Sequence, residues 1–173
     1  VLDTNNVSVA NGLIVKYAGE LIKAGKSHSE IIKGITIAIK KTKVFAIADN
    51  LTYAVKGGRV SKSKKIITDL LNAKPVMSIK KDGKLGPVGV IFGKKNITLK
   101  IFKYLNKQIK SEKKYNIAIG HCVNEKEAEL LRKLLYEKHH NINSISVLEI
   151  GCALGVHTGP GTLAIALQEK LKV

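Results

Sequence analysis

Residues 151–167, GCALGVHTGPGTLAIAL, join two apolar runs through a connection rich in glycine. The polar pair His157-Thr158 is followed by Gly159-Pro160-Gly161. Glycine reaches backbone conformations that other residues avoid and lets a ligand approach closely, whereas proline fixes one dihedral angle. This pattern predicts a firm loop that presents one imidazole and one hydroxyl between apolar segments. It equally suits a tight connection in which His157 caps a neighbouring carbonyl, and both interpretations stay open on these residues alone.

Part of this stretch also matches a nucleotide-binding pattern. Gly159, Gly161 and Ala164 fit the dinucleotide fingerprint G-x-G-x-x-G/A. That fingerprint requires a strand before it, a helix after it and an acidic residue about twenty positions further on. The sequence reaches Val173 before such an acidic residue or a second strand. We therefore reject the nucleotide interpretation.

Predicted helices and strands alternate on the N-terminal side of this stretch. Ser27 and Glu30 form a capping box at a helix start, and Asp82-Gly83 is a strong hairpin signal. Apolar runs predict strands at residues 43–49, 76–79, 85–91, 115–120, 145–150 and 163–167. Helical spacing predicts helices at residues 12–24, 29–41, 51–55, 94–110 and 125–139, with one more that begins near Ser61 or Ser63. The alternation indicates the α/β class.

Length and composition indicate a globular protein. The 173 residues suffice for one domain with a substantial core, and 45% of them are hydrophobic. No apolar run is long enough to span a bilayer, and the N-terminus lacks the pattern of a signal peptide. Cys122 and Cys152 lack a C-x-x-C partner and do not suggest a disulfide framework. We expect a cytoplasmic protein.

The charge balance favours an anionic partner. The net charge is +17, from 30 Lys and Arg against 13 Asp and Glu, which would help transient contact with an anionic membrane surface. Only Arg59 and Arg132 are arginines, aromatic residues make up 5%, and tryptophan is absent. Base-specific readout relies on arginine and single-strand binding on aromatic platforms, so we do not expect nucleic-acid binding. A basic regulatory module that binds nucleic acid or an acidic protein remains the alternative function.

The chain offers no convincing set of catalytic or metal-binding residues. Its histidines and cysteines lack the spacing of a closed zinc site, and no G-x-S-x-G elbow occurs. Three S-x-x-K matches carry little weight in a chain with 28 lysines. Paired carboxylates are absent from the glycine-rich stretch. We therefore expect a binding protein without a metal, a cofactor or an active site of its own.

The segment Gly57-Gly58-Arg59 needs a separate explanation. Two glycines can form a sharp turn that lifts Arg59 clear of the surface, where its planar fork pairs with a carboxylate or phosphate. A helix C-cap followed by an ordinary surface arginine explains the same residues, and without further context we favour it. Because Arg59 follows two glycines and lies outside residues 151–167, we expect it to act in docking a partner rather than in holding a ligand.

The order of several segments resembles the DegV family of fatty-acid-binding proteins, almost from end to end. The similar segments are VLDTNNVSVANGLIVKYA, GKSHSEI, FAIADNLTYAVKGGRVSKSKKIITDLLNAKPVMSIKKDGKLGPVGV, IAIGHCVNEKEAELL and IGCALGVHTGPGTLAIAL. The most specific feature is GGR followed by a helix and K-P, with a closing H-T-G-P-G.

This resemblance implies a two-domain α/β protein that encloses one long-chain fatty acid near the domain junction. The protein would present the carboxylate to a separate ATP-dependent kinase, which makes an acyl phosphate. By resemblance, His157 matches the histidine that hydrogen-bonds the carboxylate, and Arg59 matches an arginine implicated in engaging the kinase. Thr158 and the backbone N–H groups around Gly159 and Gly161 are candidates for further donors.

The resemblance also implies a division of the chain. Residues 1–42 look like the end of the family's first domain, a helical hairpin. Residues 43–173 look like its C-terminal α/β domain, a mixed sheet with flanking helices. Most of the first domain, including the hydroxyl residues that complete the carboxylate site, has no counterpart in this sequence. We expect this missing N-terminal portion to be required for a complete site.

Overall fold

The computed structural model describes residues 1–59, 73–80, 82–93 and 95–173. The helix predicted near Ser61 lies outside the described residues. The helices are α1 (Val9–Lys23), α2 (His28–Lys41), α3 (Thr52–Lys56), α4 (Ile97–Asn106), α5 (Glu125–Lys138) and α6 (Cys152–Thr158). The strands are β1 (Thr42–Ile47), β2 (Ala73–Ile79), β3 (Leu85–Phe92), β4 (Tyr115–His121), β5 (Ile142–Glu149) and β6 (Leu163–Glu169). None of the helices in the described ranges has the length and hydropathy needed to cross a bilayer.

The described strands form one mixed sheet of six in the order β3-β2-β1-β6-β4-β5. All neighbours pair antiparallel except β4 and β5, which are parallel and are joined by α5. A parallel pair requires such a crossover connection. Strands β2 and β3 are instead joined by the predicted hairpin, in which Gly83 has a φ of 77°. The predicted α/β class and mixed sheet are confirmed.

The two faces of the sheet differ in the size of their side chains. One face packs against α4 and α5 through large aliphatic and aromatic residues, including Phe45, Ile47, Ile117, Ile119 and Ile165 on the strands and Ile101, Leu105, Leu131 and Leu135 on the helices. The other face meets α1 through smaller strand residues, namely Val44, Ala118, Ala164 and Ala166. Small side chains let α1 approach the strands closely and leave room beyond its end for the cavity described below.

The N-terminal helical hairpin forms as the sequence predicts. Ser27 N donates to Glu30 Oε2 at 2.8 Å, and Glu30 N donates to Ser27 Oγ at 3.4 Å, which completes the capping box. Helix α1 also lies directly on the sheet, because Val9, Ala10 and Leu13 share a hydrophobic cluster with strand residues. The domain boundary at residue 42 stays a prediction, and the two sides of it share a core.

The loop predicted around His157 is wrong in one respect, because residues Cys152–Thr158 form helix α6. Gly151 O accepts from Leu154 N at 3.1 Å and from Gly155 N at 3.0 Å, which closes the first turn. The glycines at 151 and 155 therefore serve a helix rather than an irregular loop. The helix ends at Gly159, whose φ of 77° is left-handed and favours glycine.

Candidate functional site: an apolar cavity with a polar end

An apolar cavity of about 280 Å³ lies on the small-residue face of the sheet. Strands β1, β2 and β6 form its floor, and residues of α3 and α6 also line it. Five alanines supply much of the lining, which leaves space that larger side chains would fill: Ala46, Ala48, Ala54, Ala153 and Ala164. The volume lies near the lower end of the range for small-molecule pockets.

His157 and Thr158 form part of a polar end in this cavity. Both residues line it, from the last turn of α6. His157 Nδ1 and Thr158 Oγ1 are buried, and neither has a hydrogen-bond partner within the part of the chain that the structure describes. Buried polar atoms are nearly always paired, because losing hydration without replacement costs free energy. A ligand with hydrogen-bonding atoms would satisfy Thr158 Oγ1, whereas His157 Nδ1 faces the backbone of Gly57.

Arg59 borders the same cavity, and its role in docking a partner stays a prediction. Helix α3 ends at Lys56 with Gly57 as its C-cap, and the left-handed Gly58 (φ 71°) turns the chain, so the predicted helix C-cap is confirmed. The side chain of Arg59 is exposed, and its Nη1 donates to Gly57 O at 2.8 Å. Among the described residues that line the cavity, Arg59 is the single formally charged one, so the local charge favours an anionic ligand group.

The two predicted backbone donors are engaged within the protein. Gly159 N donates to Gly155 O at 2.8 Å, and Gly161 N donates to Cys122 O at 2.8 Å. Neither N–H is free for a carboxylate in this conformation. Gly159 is not among the described residues that line the cavity and instead caps the end of α6, whereas His157 and Thr158 line it and have unpaired atoms.

Sequence reasoning missed the contribution of other segments to the cavity. Ser8 lines it from the N-terminus, while Met77 and Ser78 do so from β2. The Ser78 hydroxyl donates to Val44 O at 2.6 Å. The alternation of small and large residues in the predicted strands 43–49 and 163–167 was the available signal, since it places alanines on one face.

The other candidate ligand residues are dispersed. Among residues 1–59, 73–80, 82–93 and 95–173, no group of three or more His, Cys, Asp or Glu side chains is arranged to hold a metal ion. His121 is buried at the end of β4, where its Nδ1 accepts from Asn124 N at 3.4 Å. His139 packs beside Phe102, and burial lowers the pKa of its imidazole.

The segments that build this site occur together in one known family. Residues 1–170 match the sequence profile described as uncharacterised protein, DegV family. The chain belongs to the DegV family. A DegV domain-containing protein of Clostridium acetobutylicum is 32% identical over 170 residues, covering 98% of this chain and 60% of that protein. A DegV domain-containing protein of Clostridium perfringens is 31% identical over 171 residues, covering 99% of this chain and 60% of that protein.

Solved DegV structures share the fold. The fatty-acid-binding DegV family protein of Streptococcus agalactiae superposes with a TM-score of 0.83 at 27% identity, covering 99% of this chain and 60% of that chain. DegV of Bacillus subtilis, described as a fatty acid binding protein, gives a TM-score of 0.80 at 26% identity, with coverages of 98% and 60%. The chain thus spans about 60% of the length of these DegV relatives.

Proposed function

We propose that this chain forms the cavity side of a DegV-type carrier for a long-chain fatty acid. The acyl chain lies along the alanine-rich floor, and the carboxylate meets His157 and Thr158. The observation that carries the proposal is the position of His157 and Thr158, two residues with buried polar atoms, at one end of an apolar cavity. The fatty-acid-binding relatives of Streptococcus agalactiae and Bacillus subtilis support the same ligand class.

The chemistry of the cavity suits a carboxylic acid better than a fully apolar ligand. A carboxylate that leaves water loses hydration worth several kcal/mol unless donors replace it. A neutral imidazole supplies one N–H and a threonine supplies one hydroxyl, so both are able to donate to carboxylate oxygens. The remaining lining is mostly aliphatic and matches a hydrocarbon chain.

The whole protein would act as a carrier rather than as an enzyme. In this proposal the N-terminal part of a DegV protein that this sequence does not span closes the cavity and completes the carboxylate site. A separate kinase then phosphorylates the presented carboxylate, and Arg59 contacts that kinase. The exposed position of Arg59 beside the polar end supports a role at the surface where the two proteins would meet. The chain itself then needs neither a cofactor nor catalytic residues, and the carrier works in the cytoplasm.

The proposal is tested by extracting the purified full-length protein with organic solvent and identifying the lipid by mass spectrometry. We expect close to one long-chain fatty acid per protein, and less in a His157→Ala variant purified in parallel. A protein that carries no fatty acid but binds DNA tightly, with affinity that falls as salt rises, would support the basic regulatory module instead.

A further inference from the structure

Gly57 provides the surface on which the His157 ring rests. A Cβ added to Gly57 would lie 3.0 Å from His157 Cε1, 3.2 Å from Cγ and closer still to Nδ1. Real Cβ atoms almost never come closer than 3.0 Å to such neighbours. The edge of the imidazole that carries Nδ1 therefore packs directly on the backbone at residue 57, and no space is left there for a side chain.

The backbone conformation does not by itself require glycine at this position. Gly57 has a φ of −77°, which any residue adopts, whereas the adjacent Gly58 has a φ of 71°. A side chain added at Gly58 would meet no atom within 4 Å. The two glycines thus have different roles, because Gly58 forms the turn and Gly57 makes room for the ring.

The backbone of Gly57 is held on both sides. Gly57 N donates to Tyr53 O at 2.8 Å, and Gly57 O accepts from Arg59 Nη1 at 2.8 Å. These bonds oppose a shift of the backbone away from α6. A side chain at residue 57 would instead displace the His157 ring, which stands near the end of a helix of only seven residues.

We infer that Gly57 is a positioning residue for His157: its missing side chain fixes the imidazole orientation that receives the ligand carboxylate. This inference rests on the proposed function for its effect on binding, but the ring orientation itself is independent of any ligand. The matched control is Gly155→Ala, within α6, where an added Cβ would lie at an ordinary 3.5 Å from Cys122 Sγ.

The first experiment records NMR spectra of the ligand-free full-length protein. The resonances of the His157 ring are assigned by their disappearance in the His157→Ala variant. Gly57→Ala is expected to shift the ring resonances, and Gly155→Ala to leave them near their original positions. Unchanged resonances in a folded Gly57→Ala variant would overturn the inference. If Gly57→Ala alone does not fold, the His157→Ala background should restore folding by removing the clash, and failure to restore it would also overturn the inference.

The second experiment titrates cis-parinaric acid, a fluorescent long-chain fatty acid. Gly57→Ala should weaken binding by about tenfold or more, and it should add no further loss in the His157→Ala background. Independent, additive losses would show that Gly57 acts by another route. If no variant, including the parent, binds the probe, the proposed function fails while the ring resonances still decide the role of Gly57.

Discussion

The Tyr53 ring packs against Gly159 so closely that no side chain fits between them. A Cβ on Gly159 would lie 2.7 Å from Tyr53 Cγ, 2.8 Å from Cε2 and nearer still to Cδ2. This contact mirrors the one between Gly57 and His157, so each of two short segments places an aromatic ring on a glycine of the other. Helices α3 and α6 are thereby held together beside the polar end of the cavity.

Gly159→Ala should destabilise the protein by about 2 kcal/mol or more, because Gly159 has a left-handed φ and also packs directly against the Tyr53 ring. Denaturant unfolding of the full-length protein measures this loss. Gly12→Ala is the control, since an added Cβ in the exposed part of α1 meets no atom within 4 Å and should slightly stabilise the helix. Equal effects at the two positions would contradict the packing argument.

His157→Ala should weaken fatty-acid binding by about 1–3 kcal/mol, the usual cost of leaving a charged acceptor without its donor. The fold should survive, because the change removes little apolar area. His157→Gln retains a donor and should recover part of the affinity. Titration with a fluorescent fatty acid, with the melting temperature recorded for each variant, provides the measurement. Parental affinity in His157→Ala would place the carboxylate elsewhere.

Arg59→Ala should affect kinase coupling far more than lipid binding. The guanidinium is exposed and donates to Gly57 O, so we expect fatty-acid affinity to stay within about threefold of the parent. Acyl-phosphate formation with the cognate kinase should fall by about tenfold or more. Loss of bound fatty acid with intact coupling would assign Arg59 to the carboxylate instead of the kinase.

Thr42→Val should destabilise the protein by about 1–3 kcal/mol, because it removes the acceptor of a buried side-chain amide. Gln168 is 2% exposed, and its Nε2 donates to Thr42 Oγ1 at 3.0 Å. Thr36→Val is the matched control, since that hydroxyl also donates to a helix carbonyl but is exposed. Urea unfolding should show a smaller change at residue 36, and adding Gln168→Leu to Thr42→Val should restore part of the loss.

Glu169→Gln should reduce the acid sensitivity of folding. Burial raises the pKa of Glu169, but hydrogen bonds and charge from Lys113 and Lys41 outweigh it, so the net pKa is lowered. The Glu169 carboxylate lies 2.6 Å from Lys113 Nζ and 3.1 Å from Lys41 Nζ. The ion pairs of Glu169 with both lysines therefore stabilise the folded protein at neutral pH, and this stabilisation is lost as the pH falls through the lowered pKa.

Melting temperatures at neutral pH and at about pH 4, near the ordinary carboxyl pKa, test this sign. The parent should lose more stability between the two conditions than Glu169→Gln does. Glu129→Gln is a control, because Glu129 pairs with Arg132 on the surface of α5 within a single helix. A larger acid loss in Glu169→Gln than in the parent would contradict the assignment.

Local sequence signals were enough to predict most of the secondary structure and the α/β class. The capping box of Ser27 and Glu30, the Asp82-Gly83 hairpin and the apolar runs act over a few residues, so their effects are readable without knowing the fold. Helix boundaries differed by a few residues, as at α4, which begins at Ile97 rather than near residue 94. Helix α6 was missed because its glycines suggested a loop.

The cavity and the neighbours of its polar residues were decided by the tertiary structure. Sequence resemblance proposed His157 and Arg59 separately, and only the fold brings both to one cavity. The contact between Gly57 and His157 joins residues a hundred positions apart, and nothing local specifies it. Such contacts depend on how α3 and α6 pack beyond the strands of one sheet, whereas a turn or a cap depends only on residues close together in the sequence.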